Sequence, residues 1–560
     1  MILQMINSSR HQAILLLAVA LLCYLPFINK ALHMDADMLV HTSRMLLVDP
    51  IDPPLGDYGR HMVLHDHTKM PQSSVYYRCG HPPLLPFLLA PVIALCGTSE
   101  WPMHILLFVF YLMSIYTVWY LLGMFYNAQF RFSLSLLWTI SPVLLVNAHN
   151  IMWDTAITGL MLLSFALFLA ALRHESPKIM FVSGLIAGFA AITKVNALPL
   201  FILCPAYLLI KGRFKFLLIW LAPAMVLPMT WVVHNLIVFK KIHFLSIGWY
   251  SFAPGDIRYR MERNLGYFGG ALTLPVFWVW LMVARKRFKE LFIDLLLCGI
   301  WGTLLVVVLK KPVMVGTLYM IYAAGGLWLL YKLVLFAVGE KKGRFTRDEP
   351  FLLSAFAFLY LIVLNIMPSA SMRYILPLAP FGLFVLAEEL SLISSKQRAL
   401  LVGAMIAVTT LFSLSLAVGD YYQCNADRKL PSVLIDKGYA PSKTWYYGRL
   451  AYDWYLYHAG FRNLRADGGT PQDSDYLVDE TIPGDYKAAE MLGDGVALVA
   501  IDTIRSSRWP FRTMGFFAGF YGNDRLPYSI KMGSPQKMYR VYRIFILRKA
   551  KATILSNSQP

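Results

Sequence analysis

Apolar residues in this chain fall into blocks of about 16 to 25 residues separated by short polar pieces, the length a helix needs to cross a bilayer. The blocks lie near 12–30, 103–126, 132–148, 155–172, 179–193, 196–210, 214–238, 269–284, 291–309, 313–337, 351–367, 374–390 and 399–418. The pattern predicts an α-helical polytopic membrane protein with about 13 transmembrane helices. The stretch Pro82–Cys96 does not fit, because it is only about fifteen residues long and carries Pro82, Pro83, Pro86 and Pro91. An interfacial or re-entrant helix is expected there. The first block follows Arg10 and resembles a secretory signal, but its cleavage-like Ala18-Val19-Ala20 lies inside the apolar run. An uncleaved first span is the better reading.

Beyond about Leu416 the pattern changes to mixed charge, Gly and Pro turns, and short β-like runs such as Val496–Ile501 and Met538–Leu547. The expected division is a membrane domain over 1–418, with outer loops 31–101 and 239–268, and a small α/β extracytoplasmic soluble domain over 419–560. No fixed-period repeat is visible.

Composition agrees with lipid as the main solvent. Hydrophobic residues make up 58% and charged residues 15% of the 560, well below the charge content of soluble domains. The formal charge of +19 raises the question of nucleic acid, but the basic residues punctuate block ends instead of forming a stripe among aromatics. Arg173 and Lys178, Lys211 to Lys215, Arg285 to Lys289, Lys341 to Arg347, and Lys396 with Arg398 all fall on one side if each block crosses once. The positive-inside rule makes that side cytoplasmic, so no nucleic-acid partner is expected. Six cysteines are too scattered for a disulfide scaffold or a CxxC metal site, although Cys79 and Cys424 share the outer side and could bridge.

Candidate chemistry gathers on that outer side. Asp35 and Asp37, in His33-Met34-Asp35-Ala36-Asp37-Met38, follow the first span and suit a general base, a metal carboxylate, or both. The competing reading is a pair of solvated acids at a helix end. Asp154 opens a hydrophobic block and is either a second site acid or an ordinary N-cap. Lys194 sits between two apolar blocks, where function competes with snorkelling, and Arg373 belongs to the same face. Six of the thirteen histidines lie between His33 and His81. His61, His65 and His67, with Asp35 and Asp37, have metal-ligand types but no recognised spacing, so a possible divalent metal competes with a merely polar loop.

The order of motifs is the more specific signal. The acidic loop is followed by Gly80-His81-Pro82-Pro83-Leu84, Gly97-Thr98-Ser99-Glu100-Trp101, Ser141-Pro142 with Asp154, Gly184 and Gly188 with Thr193-Lys194, and Arg373-Tyr374-Ile375-Leu376-Pro377. Over about residues 12 to 390 this order resembles the polyprenyl-phosphate-sugar-dependent glycosyltransferases of the C superfamily (GT-C). That group includes the protein O-mannosyltransferases of glycosyltransferase family 39 and the lipid A aminoarabinose transferase. The resemblance implies Asp35 as catalytic acid, Asp154 as a second one, and cationic contacts to the lipid phosphate from His81, Lys194 and Arg373. Two departures stand out: the family often has Asp-Glu where Asp35-Ala36 stand and Lys where His81 stands. Asp37 is the candidate replacement for the missing acid.

The activity implied is transfer of a sugar from a polyprenyl-phosphate donor to a hydroxyl on a glycan, lipid or protein acceptor, with inversion and Asp35 as base. One of Arg258, Arg260 and Arg263 in loop 239–268 is a further cation candidate, the loop reading equally as a lid or an interfacial anchor. A bacterial inner membrane is the expected setting, with the soluble domain in the periplasm. The alternative is a transporter or flippase of a lipid-linked saccharide, but the ionisable residues cluster at one interface and no paired halves are visible.

Overall fold

The computed structural model describes residues 8–59, 74–76, 81–242, 254–272, 313–339, 348–367, 371–447, 451–464, 470–480, 496–503, 509–515, 518–522, 524–532 and 538–544. The blocks predicted at 269–284 and 291–309 lie almost wholly outside these residues, as do Cys79 and the histidines His61, His65 and His67.

Helices dominate to about residue 436, as the apolar blocks predict. The principal ones are α1 (Ser9–Tyr24), α2 (Ala36–Leu46), α3 (Leu84–Cys96), α4 (Glu100–Gly123), α5 (Ala128–Thr139), α6 (Pro142–Ala148), α7 (Trp153–Arg173), α8 (Pro177–Ala191) and α9 (Leu198–Ile210). They continue with α10 (Phe214–Val238), α11 (Pro254–Ala271), α12 (Val313–Val338), α13 (Glu349–Ile366), α14 (Phe381–Ser391) and α15 (Ser395–Asp436). Among the described residues seven helices are long and apolar enough to cross a membrane, and eight if α5 and α6 form one span bent by 53°. That bend falls at Ser141-Pro142, because proline has no N–H to continue the helix but is well suited to begin one. The predicted blocks at 179–193, 196–210 and 374–390 form the shorter helices α8, α9 and α14. Pro82–Cys96 yields the 13-residue α3, short of a spanning length, as its prolines predict.

Close packing explains part of the motif order. A Cβ on Gly184 of α8 would lie 2.1 Å from the Trp220 carbonyl oxygen of α10, so the two backbones touch only because that position is glycine. Ser164 of α7 and Ser183 of α8 donate to each other's carbonyls at 2.9 and 2.8 Å, satisfying two hydroxyls where no water is at hand. Gly184 and Gly188 thus serve helix packing, leaving the chemistry to their neighbours.

Residues 254–268, expected as part of an outer loop, form most of α11 instead. The boundary expected near 418 falls inside α15, a continuous helix of 42 residues that leads from the apolar region toward a mixed sheet. That sheet contains β1 (Thr444–Tyr447), β2 (Arg462–Asn463), β3 (Tyr476–Glu480), β4 (Val496–Thr503) and β5 (Met538–Ile544), in the order β2-β1-β3-β5-β4. β1 pairs in parallel with β2 and β3, and α16 (Ala451–His458) makes the β1-to-β2 crossover; β5 runs antiparallel between β3 and β4. A small α/β region at the C-terminal end is therefore present, as the sequence predicts.

Candidate functional site

Four segments far apart in sequence meet at one end of the helices. The first is the turn that links α1 to α2, ending in Asp35. This residue stands at the N-cap position of α2, but its carboxylate makes no cap hydrogen bond. Instead, Arg373 Nη2 donates to Asp35 Oδ2 at 2.9 Å. Asp154 follows the start of α7 at Trp153, with Met152 at the cap. The N-cap reading of Asp154 is therefore overturned, since the helix begins one residue too early for it. Its carboxylate turns outward from the helix: Lys194 Nζ donates to Oδ1 at 2.6 Å, and Arg373 Nε lies 3.6 Å from Oδ2.

Lys194 occupies the extended connection between α8 and α9 and is almost wholly buried. It does not snorkel. Its ammonium sits 3.9 Å over the Tyr374 ring, combining an ion pair with a cation–π contact in a site largely closed to water. Arg373 lies in the short 3-10 turn Met372–Ile375, where Ser371 Oγ accepts from its Nε at 3.1 Å and the Met152 sulfur faces Nη1 at 2.8 Å. One guanidinium thus spans both acids, a task its fork geometry suits and a lysine could not do. Asp35 keeps 17% of its side chain exposed, more than Asp154, Lys194 or Arg373, and so faces the approach to the group.

His81 stands beside them, its ring 4.5 Å from Trp153. The Leu84 amide donates to the Ile192 carbonyl at 3.0 Å, which ties the start of α3 to the segment carrying Lys194. Three arginines of α11 diverge. Arg258 is exposed and pairs with Glu262 at 3.1 Å, one turn along the same helix. Arg260 donates from Nη1 to the carbonyls of Asn365, Ile366 and Met367 at 3.1, 2.9 and 3.0 Å, closing the C-terminal end of α13. Arg263 is buried beside Tyr259 and Tyr267, with Tyr374 of the Arg373 turn among its electrostatic neighbours.

Asp37 goes elsewhere. Because α2 begins at Ala36, two residues carry it about 200° around the helix from Asp35. Among the described contacts it meets neither Lys194 nor Arg373; Tyr58 OH donates to its Oδ2 at 2.8 Å in a closed apolar setting. Burial pushes its carboxyl up to about 7, with the Asp35 charge adding to the rise and the Tyr58 hydrogen bond opposing it. His41, on the same helix, is driven down to about 4, also chiefly by burial.

A second polar cluster, absent from the sequence expectations, lies beside the first. Asp420 of α15 pairs with Lys30 and accepts from Thr513 at 2.6 Å and Tyr521 at 2.8 Å. His33, Asp420 and Cys424 are the described group with metal-ligand types close enough to share an ion. The Lys30 ammonium on the same carboxylate argues against a cation there, because it supplies the neutralising charge already. The sequence signal for this place was an acid two residues past the apolar block 399–418, at the membrane boundary where an ionisable side chain is costly unless paired.

Residues 80–237 match the family described as dolichyl-phosphate-mannose-protein mannosyltransferase, a stretch that contains His81, Asp154 and Lys194. No curated protein sequence matches. Among solved structures, ArnT from Cupriavidus metallidurans bound to undecaprenyl phosphate is 14% identical, with a TM-score of 0.41 over 96% of this chain and 98% of that one. The Archaeoglobus fulgidus oligosaccharyltransferase tethered with an acceptor peptide is 11% identical, with a TM-score of 0.46 over 82% and 64% of the two chains. Scores this low do not bear on the site. The family match bears out the resemblance read from the motif order: in its membrane region this chain resembles the C-superfamily glycosyltransferases of the protein O-mannosyltransferase type.

Proposed function

We propose that this chain is an integral membrane glycosyltransferase that moves a sugar from a polyprenyl-phosphate donor to a hydroxyl acceptor, with inversion and with Asp35 as the base. One observation carries the reading: Arg373 joins Asp35 to the buried Asp154–Lys194 pair, so a candidate base and two cations converge at a single partly open point.

The chemistry divides between the two charges. An acceptor hydroxyl gives its proton to an Asp35 oxygen while its own oxygen bonds to the anomeric carbon. The bond from that carbon to the phosphate oxygen breaks, and the phosphate leaves with the electron pair. Lys194 and Arg373 stabilise the charge that grows on it, and His81 adds a donor when protonated. In the resting geometry Arg373 occupies an oxygen of Asp35 by pairing with it. A donor phosphate competing for the guanidinium would release the base, starting from Nη1, which rests on the weakly accepting Met152 sulfur. Asp154 holds both cations, and Asp37, buried against Tyr58 away from both, takes no part in the proposed step. The donor phosphate cations are thus Lys194 and Arg373, with Arg263 the remaining candidate from α11.

Orientation follows from α7. Asp154 lies at one end and Arg173 at the other of a 21-residue helix about 30 Å long, the thickness of a bilayer core. Lys178, Lys211 and Arg213 accompany Arg173 at the far end, where Arg173 pairs with Glu349 and Lys211 with Asp348. The positive-inside rule supports a site on the extracytoplasmic face, together with the region after α15, and an inner-membrane setting with that region in the periplasm. The acceptor is proposed as a hydroxyl of an envelope glycan, lipid or protein.

The decisive experiment is transfer of labelled sugar from a polyprenyl-phosphate donor by the purified chain. Asp35→Asn is expected to abolish turnover while polyprenyl phosphate still binds. Full turnover in that variant would overturn the base assignment, and no transfer by the unaltered chain would favour the transporter.

A further inference from the structure

The turn that carries Asp35 is tied, residue by residue, to the part of the chain beyond residue 419. Lys30 Nζ pairs with Asp420, the Ala31 amide donates to Asn425 Oδ1 at 3.2 Å, and the Leu32 amide donates to Tyr455 OH at 2.8 Å. The His33 ring packs edge-on against Tyr521, 4.3 Å between centroids. Met34 then adopts φ +47, a left-handed conformation that a long side chain avoids unless its surroundings hold it there. Asp35 comes next.

The same few side chains reach the other two site-bearing segments. Lys30 also donates to Asn150 Oδ1 at 2.6 Å, and Asn150 Nδ2 donates to Tyr521 OH at 2.5 Å. Asn150 belongs to the turn that ends in Met152 and Asp154, whose side chains meet Arg373. Tyr521 lies 5.9 Å from the Arg373 guanidinium, and the neighbouring Phe520 carbonyl accepts from the Arg373 amide at 3.4 Å. Lys30 and Asp420 are each 1% exposed, and the Asp420 oxygens are shared among Lys30, Thr513 and Tyr521. Nothing in that arrangement is left open to a substrate.

We infer that Asp420 and Tyr521 are positioning residues for the transfer reaction, holding the Asp35 turn, the Asp154 turn and Arg373 in one register from outside the reacting group. The inference rests on the reading of Asp35 as base. It gives the C-terminal region a role in turnover itself: that region supplies the brace against which base and cations are set. A shift of about 1 Å in such a register is enough to cost two orders of magnitude in rate.

The test compares Tyr521→Phe with Thr513→Val in the full chain, purified in lipid nanodiscs. Both remove one hydrogen bond to Asp420, but only the tyrosine hydroxyl also accepts from Asn150, the ring that faces Arg373 being kept by phenylalanine. Tyr521→Phe should lower kcat about tenfold or more, with donor KM and thermal midpoint close to those of the unaltered chain. Thr513→Val should keep kcat within about twofold. Equal kcat losses in the two variants, or a loss that follows the thermal midpoint, would show a purely structural cluster and overturn the inference. Asp420→Glu, which keeps the charge but lengthens the arm, gives a second reading: it should retain the fold and lose kcat, and full kcat would again overturn it. Asp35→Asn run alongside separates the two readings, because full turnover there removes the base assignment whereas full turnover in Tyr521→Phe removes only the brace.

Discussion

Two buried ion-pair clusters lie side by side in this protein, and they are finished to different degrees. Around Asp420 three of the four described carboxylate contacts are short, from an ammonium, a threonine hydroxyl and a phenol, with His33 Nε2 farther off at 3.8 Å and both members of the Lys30–Asp420 pair sealed from solvent. Around Arg373 the same kinds of group are left incomplete. Asp35 stays partly exposed, one guanidinium nitrogen rests on a thioether, and Arg373 reaches Asp154 only at 3.6 Å. A cluster with all its valences filled resists change, because any new partner must displace a good one in a low-dielectric setting. A cluster with weak contacts can exchange them for a substrate. That contrast is what the proposed roles need: the first cluster as a brace, the second as the place of reaction.

Mutations should break the two clusters in different ways. The largest effect is expected at the open one, where Asp35→Asn should lower turnover about a thousandfold, read as sugar transfer at saturating donor. Arg373→Lys keeps the charge but loses the fork that spans both acids, and should cost about a hundredfold in kcat/KM for the donor. At the closed cluster, Lys30→Met strands a buried carboxylate and should destabilise by about 3 to 5 kcal/mol, whereas Lys30→Met with Asp420→Leu should recover much of that loss in a thermal unfolding assay. A neutral single mutant would mean that the pair holds nothing.

Asp37 sharpens the contrast through pH. Its folded carboxyl is raised to about 7 from a reference of 3.8, so the folded state keeps a proton that the unfolded chain gives up. Its contribution is fully present below about pH 4 and is lost as pH rises through about 7. Asp37→Asn should flatten that decline, which melting curves across the same range will show. The smallest effect belongs to Arg258→Ala, whose exposed pair with Glu262 one turn away should leave transfer within about twofold of the unaltered chain.

Much of the membrane region was legible because lipid imposes a simple rule: backbone groups must be satisfied within a helix, so apolar length alone reveals one. The short α3 could be read from its prolines, whereas 132–148 was expected as one unbroken span and the bend at Ser141-Pro142 and the packing of Gly184 and Gly188 came only from the structure. Asp35, Asp154, Lys194 and Arg373 could be assigned to one face because the blocks between them set its sidedness. Their pairing could not, since ion pairs across 40 to 338 residues leave no periodic trace in the chain. Asp37 illustrates the limit. One residue in the start of α2 decides whether two acids converge or diverge, and end positions of helices are the least certain feature of any sequence pattern.

The sequence by itself determined that this chain lies in a membrane, at which end of its helices the candidate residues gather, and which residue types stand there. Hydrophobic length and charge placement are properties of local composition, and they act before any tertiary contact forms. Only the tertiary structure decided that Arg373 joins the two acids, that Asp37 turns away to Tyr58, and that Lys30 meets Asp420. Those outcomes depend on packing and on the desolvation of charges brought together from distant segments, energies that do not exist until the helices have assembled.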